Sequence, residues 1–351
     1  MNAEDIAIFT GNANPQLAVK IARHLGLELG HARVARFADG KPDIRILEDV
    51  RGRDVYLVQT DGPPAMWYME LEHLIASAKR SAGRVTVIIP YFSSGRGDRR
   101  DESGKAIPAA VDAKKYAALG VDRIVLFELH AEQIVGMFES AGVNHIDSLY
   151  FRPVILHHLS QSQYDLTNAI FSPPDVGRMS VVRSLWRKTR TMGCPVELGL
   201  IDKDGTSSSG IQSMTVLGNF EGRHAHLFDD ILGSTETAVM AARAALDRGA
   251  LDVTLWVAHA VFPDRDTPDI RRAACERLAN SPIQQVNVSD TLPLGKMERE
   301  ILGDKLRELS TSLLFAMAIK RLHEPRSGHR LSSLFELDGY REGLKELQAT
   351  T

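Results

Sequence analysis

Two adjacent acids and a hydroxyl-rich turn mark the stretch Arg223-His224-Ala225-His226-Leu227-Phe228-Asp229-Asp230-Ile231-Leu232-Gly233-Ser234-Thr235-Glu236-Thr237. It opens as an apolar strand ending in Asp229 and Asp230, and a short loop leads into the apolar-periodic run Ala238 to Leu246, expected to be a helix. Neighbouring carboxylates accept hydrogen bonds from the vicinal hydroxyls of a ribose, and free N–H groups at a helix start hold an anion. The pattern therefore suits a sugar phosphate, bound where open α/β sheets place ligands, beyond the carboxyl ends of the strands. It also suits an ordinary connection into a capped helix, and the rest of the chain has to separate the two readings.

Other residues with chemical potential stand at comparable places. His130 follows the apolar strand Arg123 to Leu129, and Asp175 follows the strand Asn168-Ala169-Ile170-Phe171 through Ser172-Pro173-Pro174. A histidine at a strand end is open to two readings, a satisfied packing residue or a ligand. Two loops interrupt the α/β rhythm. Phe92 to Pro108 carries Arg96, Asp98, Arg99, Arg100 and Lys105, and Asp202 to Gly210 sets Lys203 before Gly205 and the run Thr206-Ser207-Ser208-Ser209. A lysine in a glycine-serine loop suits a mobile lid, and equally a solvated turn.

The elements that must position these residues read as fully apolar strands alternating with helices. Ile6 to Thr10, Val55 to Val58, Val85 to Ile89 and Arg123 to Leu129 are strands. Helices run from Asn14-Pro15 to Gly26, from Met66 to Ala82 and from Ala109 to Leu119. Such strands imply parallel sheets covered on both faces. The same order restarts near Phe151-Arg152-Pro153, with strands at Asn168–Phe171, Val196–Ile201, Val253–Ala258 and Val286–Val288 and helices at Met179–Met192, Ile270–Leu278 and Thr311–Leu322. We read a duplicated α/β architecture: residues 1–150, then 151–325, then a tail of 326–351 that is weakly structured around Pro325-Arg326-Ser327-Gly328 until Leu334.

Composition bounds the class. The chain of 351 residues has room for two domains at ~100–200 residues each. A net charge of −3 gives no electrostatic reason to expect nucleic acid as a partner. Cys194 and Cys275 make neither a disulfide framework nor a metal-site spacing. Met1-Asn2-Ala3-Glu4-Asp5 lacks a secretory pattern, and no run approaches the ~20 apolar residues of a membrane span. A cytoplasmic α/β protein with no membrane partner is expected.

Taken together, the pieces resemble the ribose-phosphate pyrophosphokinases, also called phosphoribosyl pyrophosphate synthetases, from about Ile6 to about Leu322 and in family order. The resemblance rests on Thr10-Gly11-Asn12-Ala13-Asn14-Pro15, Arg36-Phe37-Ala38-Asp39-Gly40, Asp49-Val50-Arg51-Gly52-Arg53-Asp54-Val55, Pro90-Tyr91-Phe92 with Arg96-Gly97-Asp98-Arg99-Arg100, and Leu129-His130-Ala131-Glu132-Gln133-Ile134. It implies two similar phosphoribosyltransferase-like domains, each a mostly parallel sheet flanked by helices. It implies transfer of the β,γ-diphosphoryl group of ATP to the C1 hydroxyl of ribose 5-phosphate, with Mg²⁺ and AMP as the leaving group. His130 and Asp175 match positions that hold Mg²⁺ directly or through water, with His130 also beside the nucleotide. Phe37, Asp39, Arg96, Asp98 and Arg99 match residues that hold adenine and the ATP phosphates. The Phe37 loop reaches a neighbouring subunit in the family, which implies a homo-oligomer, a dimer or a hexamer of dimers. Lys203 matches the catalytic-loop lysine, Asp229 and Asp230 the pair on the ribose hydroxyls, and Ser234, Thr235 and Thr237 the 5-phosphate loop.

The chain departs from the family pattern at several of these places. Where the family reads Asp-Asp-x-x-Asp-Thr-Gly-Gly-Thr, Gly233, Thr235 and Glu236 stand in for the third aspartate and the two loop glycines. Asp204 and Gly205 replace two arginines, Gly97 a glutamine and Lys41 an acid, while Pro174 is inserted and Arg178 replaces a glycine. Glycines there let N–H groups approach a phosphate, and a glutamate repels one. Three readings follow: a diphosphokinase acting on ribose 5-phosphate, one acting on another 5-substituted ribose such as ADP-ribose, and a non-catalytic regulatory member. The retained His130, Asp175, Lys203, Asp229 and Asp230 favour catalysis.

Overall fold

The computed structural model describes residues 5–62, 65–161, 164–203, 214–264, 266–324 and 331–348. The chain divides into two units, one of Met1–Pro153, Thr291–Pro293 and Ser310–Thr351 and one of Val154–Asp290 and Leu294–Leu309. No helix among the described residues is long and apolar enough to cross a membrane.

In the first unit, β1 (Ile6–Thr10) leads into α1 (Pro15–His24), where the Asn14 side chain accepts the Leu17 N–H at 3.3 Å and Pro15 fixes the first turn. There follow β2 (Ala32–Arg36), β3 (Pro42–Ile46), β4 (Asp54–Val58), α2 (Met66–Ala78), β5 (Arg84–Ile89), α3 (Pro108–Ala118), β6 (Arg123–Phe127), α4 (Gln133–Ala141) and β7 (Ile146–Leu149). Strands β1-β4-β5-β6-β7 form a parallel sheet in that order, and β2–β3 is a separate antiparallel hairpin. Strand residues such as Val55, Leu57, Val87 and Leu126 are wholly buried, because helices cover the sheet on both faces.

The chain continues through α5 (Arg152–Ser160), β8 (Ala169–Ser172), α6 (Met179–Thr191), β9 (Glu197–Leu198), β10 (Leu200–Lys203), β11 (Met214–Leu217), β12 (His224–Ile231), α7 (Glu236–Asp247), β13 (Asp252–His259), α8 (Pro268–Ala279), β14 (Gln285–Ser289), α9 (Lys296–Leu302) and β15 (Leu306–Leu309). The second unit's sheet has the order β15-β14-β13-β12-β8-β9, again parallel throughout. The strand expected over Val196–Ile201 is two: β9 joins this sheet and β10 pairs antiparallel with β11.

The domain division expected from sequence needs correction. Residues from Ser310 onward return to the first unit, in α10 (Ser312–His323) and α11 (Leu337–Gln348). Phe315 of α10 packs on Phe127 at 5.5 Å between ring centroids, and His323 Nδ1 lies 2.9 Å from the Asp54 carboxylate. Thr291 also belongs there, since its carbonyl accepts from Thr60 Oγ1 at 2.8 Å and Asn14 Nδ2 at 3.3 Å. Regular structure is present from Leu331, three residues before the expected Leu334; the turn Leu331–Phe335 and α11 close on α10 through Leu334, Leu337 and Tyr340, all buried. Pro325-Arg326-Ser327-Gly328 lies outside the described residues.

One face of the second sheet is aromatic. His226 lies among Tyr164, Phe171, Phe228 and Trp256, and Trp256 Nε1 donates to its Nδ1 at 3.1 Å. Burial first, and then His224, push the His226 imidazole down to about 3, so it folds neutral. Between that value and its ordinary one the unfolded chain binds the extra proton, so stability falls as pH drops below the unfolded value near 6.5. Urea unfolding followed by tryptophan fluorescence is expected to show the wild type losing up to about 2 kcal/mol more than His226→Asn between pH 7 and pH 5. Asparagine keeps an acceptor for Trp256 without the titration.

Candidate active site

The second unit has a topological switch. The chain leaves β8 toward β9 on one side and returns in β12 on the other, which opens a crevice beyond the carboxyl ends of β8 and β12. Asp175 comes just after β8, and Asp229 and Asp230 occupy the end of β12. The strand ends one residue after the acids, close to the expectation: Asp229 is in register with Val257 and Ile231 with His259. Asp230 is buried, and its N–H donates to Asp229 Oδ1 at 2.9 Å. Burial above all, and then the charge of Asp230, hold the Asp229 carboxyl well above the usual carboxylate range, while Arg178 pulls it back.

Arg178 ties this pair to the Asp175 turn. It ends the short turn Val176–Arg178 and places Nη1 3.8 Å from Asp230 Oδ2, with both side chains nearly buried. Asp175 is exposed and caps the same turn, its Oδ1 accepting the Gly177 N–H at 2.6 Å. Asp202 joins the turn to β10: its Oδ1 accepts Val176 N–H at 3.2 Å and Lys203 N–H at 3.0 Å. Lys203, exposed at the end of β10, is thereby a neighbour of Asp175. Residues 204–210 of the expected lid lie outside the described residues.

The rebuilt loop after β12 retains a left-handed residue. Thr235 has φ +70°, although threonine favours that conformation far less than the glycine the family pattern places there. Its Oγ1 donates to the Ala274 carbonyl at 3.0 Å instead of capping α7, so the first N–H groups of α7 have no side-chain cap. Ser234 and Glu236 are exposed, and Thr237 is half-buried in the first turn. Arg277 of α8 donates to the Ser234 carbonyl at 2.5 Å and lies 3.3 Å from the Glu236 carboxylate. The glutamate is therefore charge-paired.

The first unit gathers its own candidates beyond β5 and β6. Arg96 is exposed at the end of the turn Ser93–Arg96, and Arg99 is exposed beside it. Asp98 turns inward and accepts from Gln133 Nε2 at the start of α4. Gly97 is required by close approach: a Cβ there would stand 2.6 Å from Pro108. A Cβ on Gly95 would be 3.8 Å from that of His130, so the Arg96 turn and the exposed His130 are adjacent. Phe37 and Asp39 sit elsewhere in this unit, at the tip of the β2–β3 hairpin. Phe37 is 57% exposed, unusual for a phenylalanine, and the Asp39 side chain accepts the Lys41 N–H at 3.1 Å.

Three positioning residues and one pairing are not signalled by the sequence. Glu128 has φ +41° and accepts the Phe151 N–H at 2.8 Å, turning the chain from β6 toward His130. Asp202, Arg277 and the Arg178–Asp230 pairing depend on long-range contacts that no local pattern signals. Among the described residues no group of three or more His, Cys, Asp or Glu gathers as a metal cage. Exposed His130 in the first unit and exposed Asp175 in the second are each of a type that Mg²⁺ accepts, since that ion keeps several waters and takes few protein ligands.

Residues 6–120 match the model of the N-terminal domain of ribose phosphate pyrophosphokinase, and residues 154–336 match the phosphoribosyl synthetase-associated domain. The chain belongs to the ribose-phosphate pyrophosphokinase family. It is 34% identical over 327 residues to the ribose-phosphate pyrophosphokinase of Neisseria meningitidis serogroup A / serotype 4A, covering 92% of this chain and 94% of that one. It is 37% identical to the family member from Haemophilus influenzae, over 94% of this chain and 99% of the relative. The phosphoribosylpyrophosphate synthetase structure from Mycobacterium smegmatis is similar with a TM-score of 0.79 and 28% identity, over 91% of this chain and 98% of that chain. Full-length similarity to this family agrees with two parallel α/β sheets and with the motif order along the chain.

Removing the Asp202 carboxylate is expected to loosen the Asp175 turn from β10. Asp202→Ala should raise hydrogen exchange at the Val176 and Lys203 amides and lower stability by about 1–3 kcal/mol, measured by exchange mass spectrometry and urea unfolding.

Proposed function

We propose that this protein is a ribose-phosphate diphosphokinase, transferring the β,γ-diphosphoryl group of ATP to the C1 hydroxyl of ribose 5-phosphate and releasing AMP. The observation that carries the acceptor assignment is the loop after β12: Thr235 keeps the left-handed turn, α7 begins without a side-chain cap, and Glu236 is paired with Arg277. An uncapped helix start offers N–H groups to the 5-phosphate. The Arg277 pairing offsets part of the charge that Glu236 sets against a dianionic acceptor.

Asp229 and Asp230 accept hydrogen bonds from the ribose 2- and 3-hydroxyls and so orient C1. The raised proton affinity of Asp229 suits a group that gains donors when sugar arrives. Ser234, Thr235 and Thr237 line the 5-phosphate end. Arg96 and Arg99 neutralise the ATP phosphates, Asp98 fixes their loop through Gln133, and Phe37 with Asp39 serves adenine. An exposed Phe37 at a hairpin tip suits a site completed by a neighbouring copy, hence a homo-oligomer. His130 in the first unit and Asp175 in the second would each be a Mg²⁺ ligand, directly or through water, and a bound ion would supply charge neutralisation on the polyphosphate. The C1 oxygen attacks the β-phosphorus, the bond to the α-phosphate oxygen breaks, and AMP leaves. Lys203 stabilises the negative charge that develops on the transferring group.

Lys203→Ala is expected to lower kcat on the order of 10²-fold with the KM for ATP little changed, because its interaction forms in the transition state. Loss of ATP affinity alone would place Lys203 in ground-state binding. His130→Ala should abolish AMP release while circular dichroism stays unchanged, and undiminished turnover would remove His130 from the site. Comparing kcat/KM for ribose 5-phosphate and ADP-ribose tests the acceptor: a wild-type preference for ADP-ribose contradicts the assignment.

A further inference from the structure

Asp61, just beyond β4, is wholly buried and bonded to neutral donors. Its Oδ1 accepts the Ser93 N–H at 2.8 Å and its Oδ2 accepts the Tyr116 hydroxyl at 2.9 Å. Its own N–H donates to the Tyr91 carbonyl at 3.3 Å, and it forms an isolated parallel bridge with Phe92. Ser93 opens the turn that ends in Arg96. The next residue, Ser94, donates to Asp112 of α3, and Ser93 Oγ bonds the Tyr68 hydroxyl of α2. Lys115 pairs with Asp112 at 3.0 Å and with Glu72 at 2.9 Å. The turn is thus fastened at its first two residues by two acids and a phenol packed beneath it.

We propose that Asp61 is a positioning residue for the Ser93–Arg96 turn, and that its charge state sets how firmly the turn presents Arg96 to the nucleotide phosphates. The inference rests on the nucleotide role given above to Arg96. A carboxylate holds a backbone N–H about twice as strongly as a neutral acceptor does. Protonating Asp61 therefore slackens the bond to Ser93. Burial chiefly, together with the charge of Asp112, pushes Asp61 up to about 7, against the hydrogen bonds from Ser93 and Tyr116. The bond weakens as pH falls through neutrality and is at full strength above it. A merely structural acid would lower stability when removed but would leave the pH dependence of nucleotide binding in place.

The test is calorimetric affinity for Mg²⁺ with α,β-methylene-ATP from pH 6 to pH 8.5, which needs no turnover. Wild-type affinity should fall as pH drops through about 7, beyond the ligand's own titration, which all variants share. Asp61→Asn should bind about 3–10-fold more weakly at pH 8.5 and lose that extra pH dependence. Tyr116→Phe removes a donor that favours the carboxylate, so its midpoint should move upward. Superimposable profiles for wild type and Asp61→Asn, or an unmoved midpoint in Tyr116→Phe, overturn the proposal while leaving nucleotide binding intact. No binding by the wild type at any pH would overturn the nucleotide reading itself, and this inference with it.

Discussion

Two carboxylates side by side at the end of an apolar parallel strand are a costly arrangement, and the second unit is organised around keeping them. Desolvation and mutual repulsion both disfavour the charges of Asp229 and Asp230. Arg178 compensates at 3.8 Å, and the turn that holds Arg178 also exposes Asp175. Asp202 bonds that turn to β10 through the Val176 and Lys203 N–H groups. One ion pair and a short chain of hydrogen bonds thus link the acid pair, the Asp175 turn and the Lys203 backbone within one unit.

The loop after β12 combines a left-handed threonine with a helix start that has no side-chain cap. A left-handed threonine costs on the order of 1 kcal/mol, and its bond to Ala274 with the Arg277 contact to Ser234 offsets that. Exposed pairs such as Glu236–Arg277 are worth only about 0.2–1 kcal/mol, so this one holds the loop only lightly.

Much of this was legible in the sequence. The runs Val55–Val58 and Val253–Ala258 announce buried parallel strands, and Asn14-Pro15 announces a helix start, since these depend on local physics alone. The return of Ser310 onward to the first unit was not legible, because helix α10 looks the same whichever sheet Phe315 packs against. The motif residues are legible by order and spacing, but the contacts of Glu128, Asp202 and Arg277 are not, since each acts through a distant partner. Glu236 looked like an obstacle only because its cation lies on another helix.

The central claim is that the diphosphoryl group leaves ATP as one unit for the anomeric oxygen of ribose 5-phosphate. The direct measurement is ³¹P NMR of the protein with ATP, Mg²⁺ and ribose 5-phosphate. Our account predicts AMP and an anomeric diphosphate appearing in equal amounts. Formation of ADP with a singly phosphorylated sugar, or no sugar-dependent consumption of ATP, would contradict it.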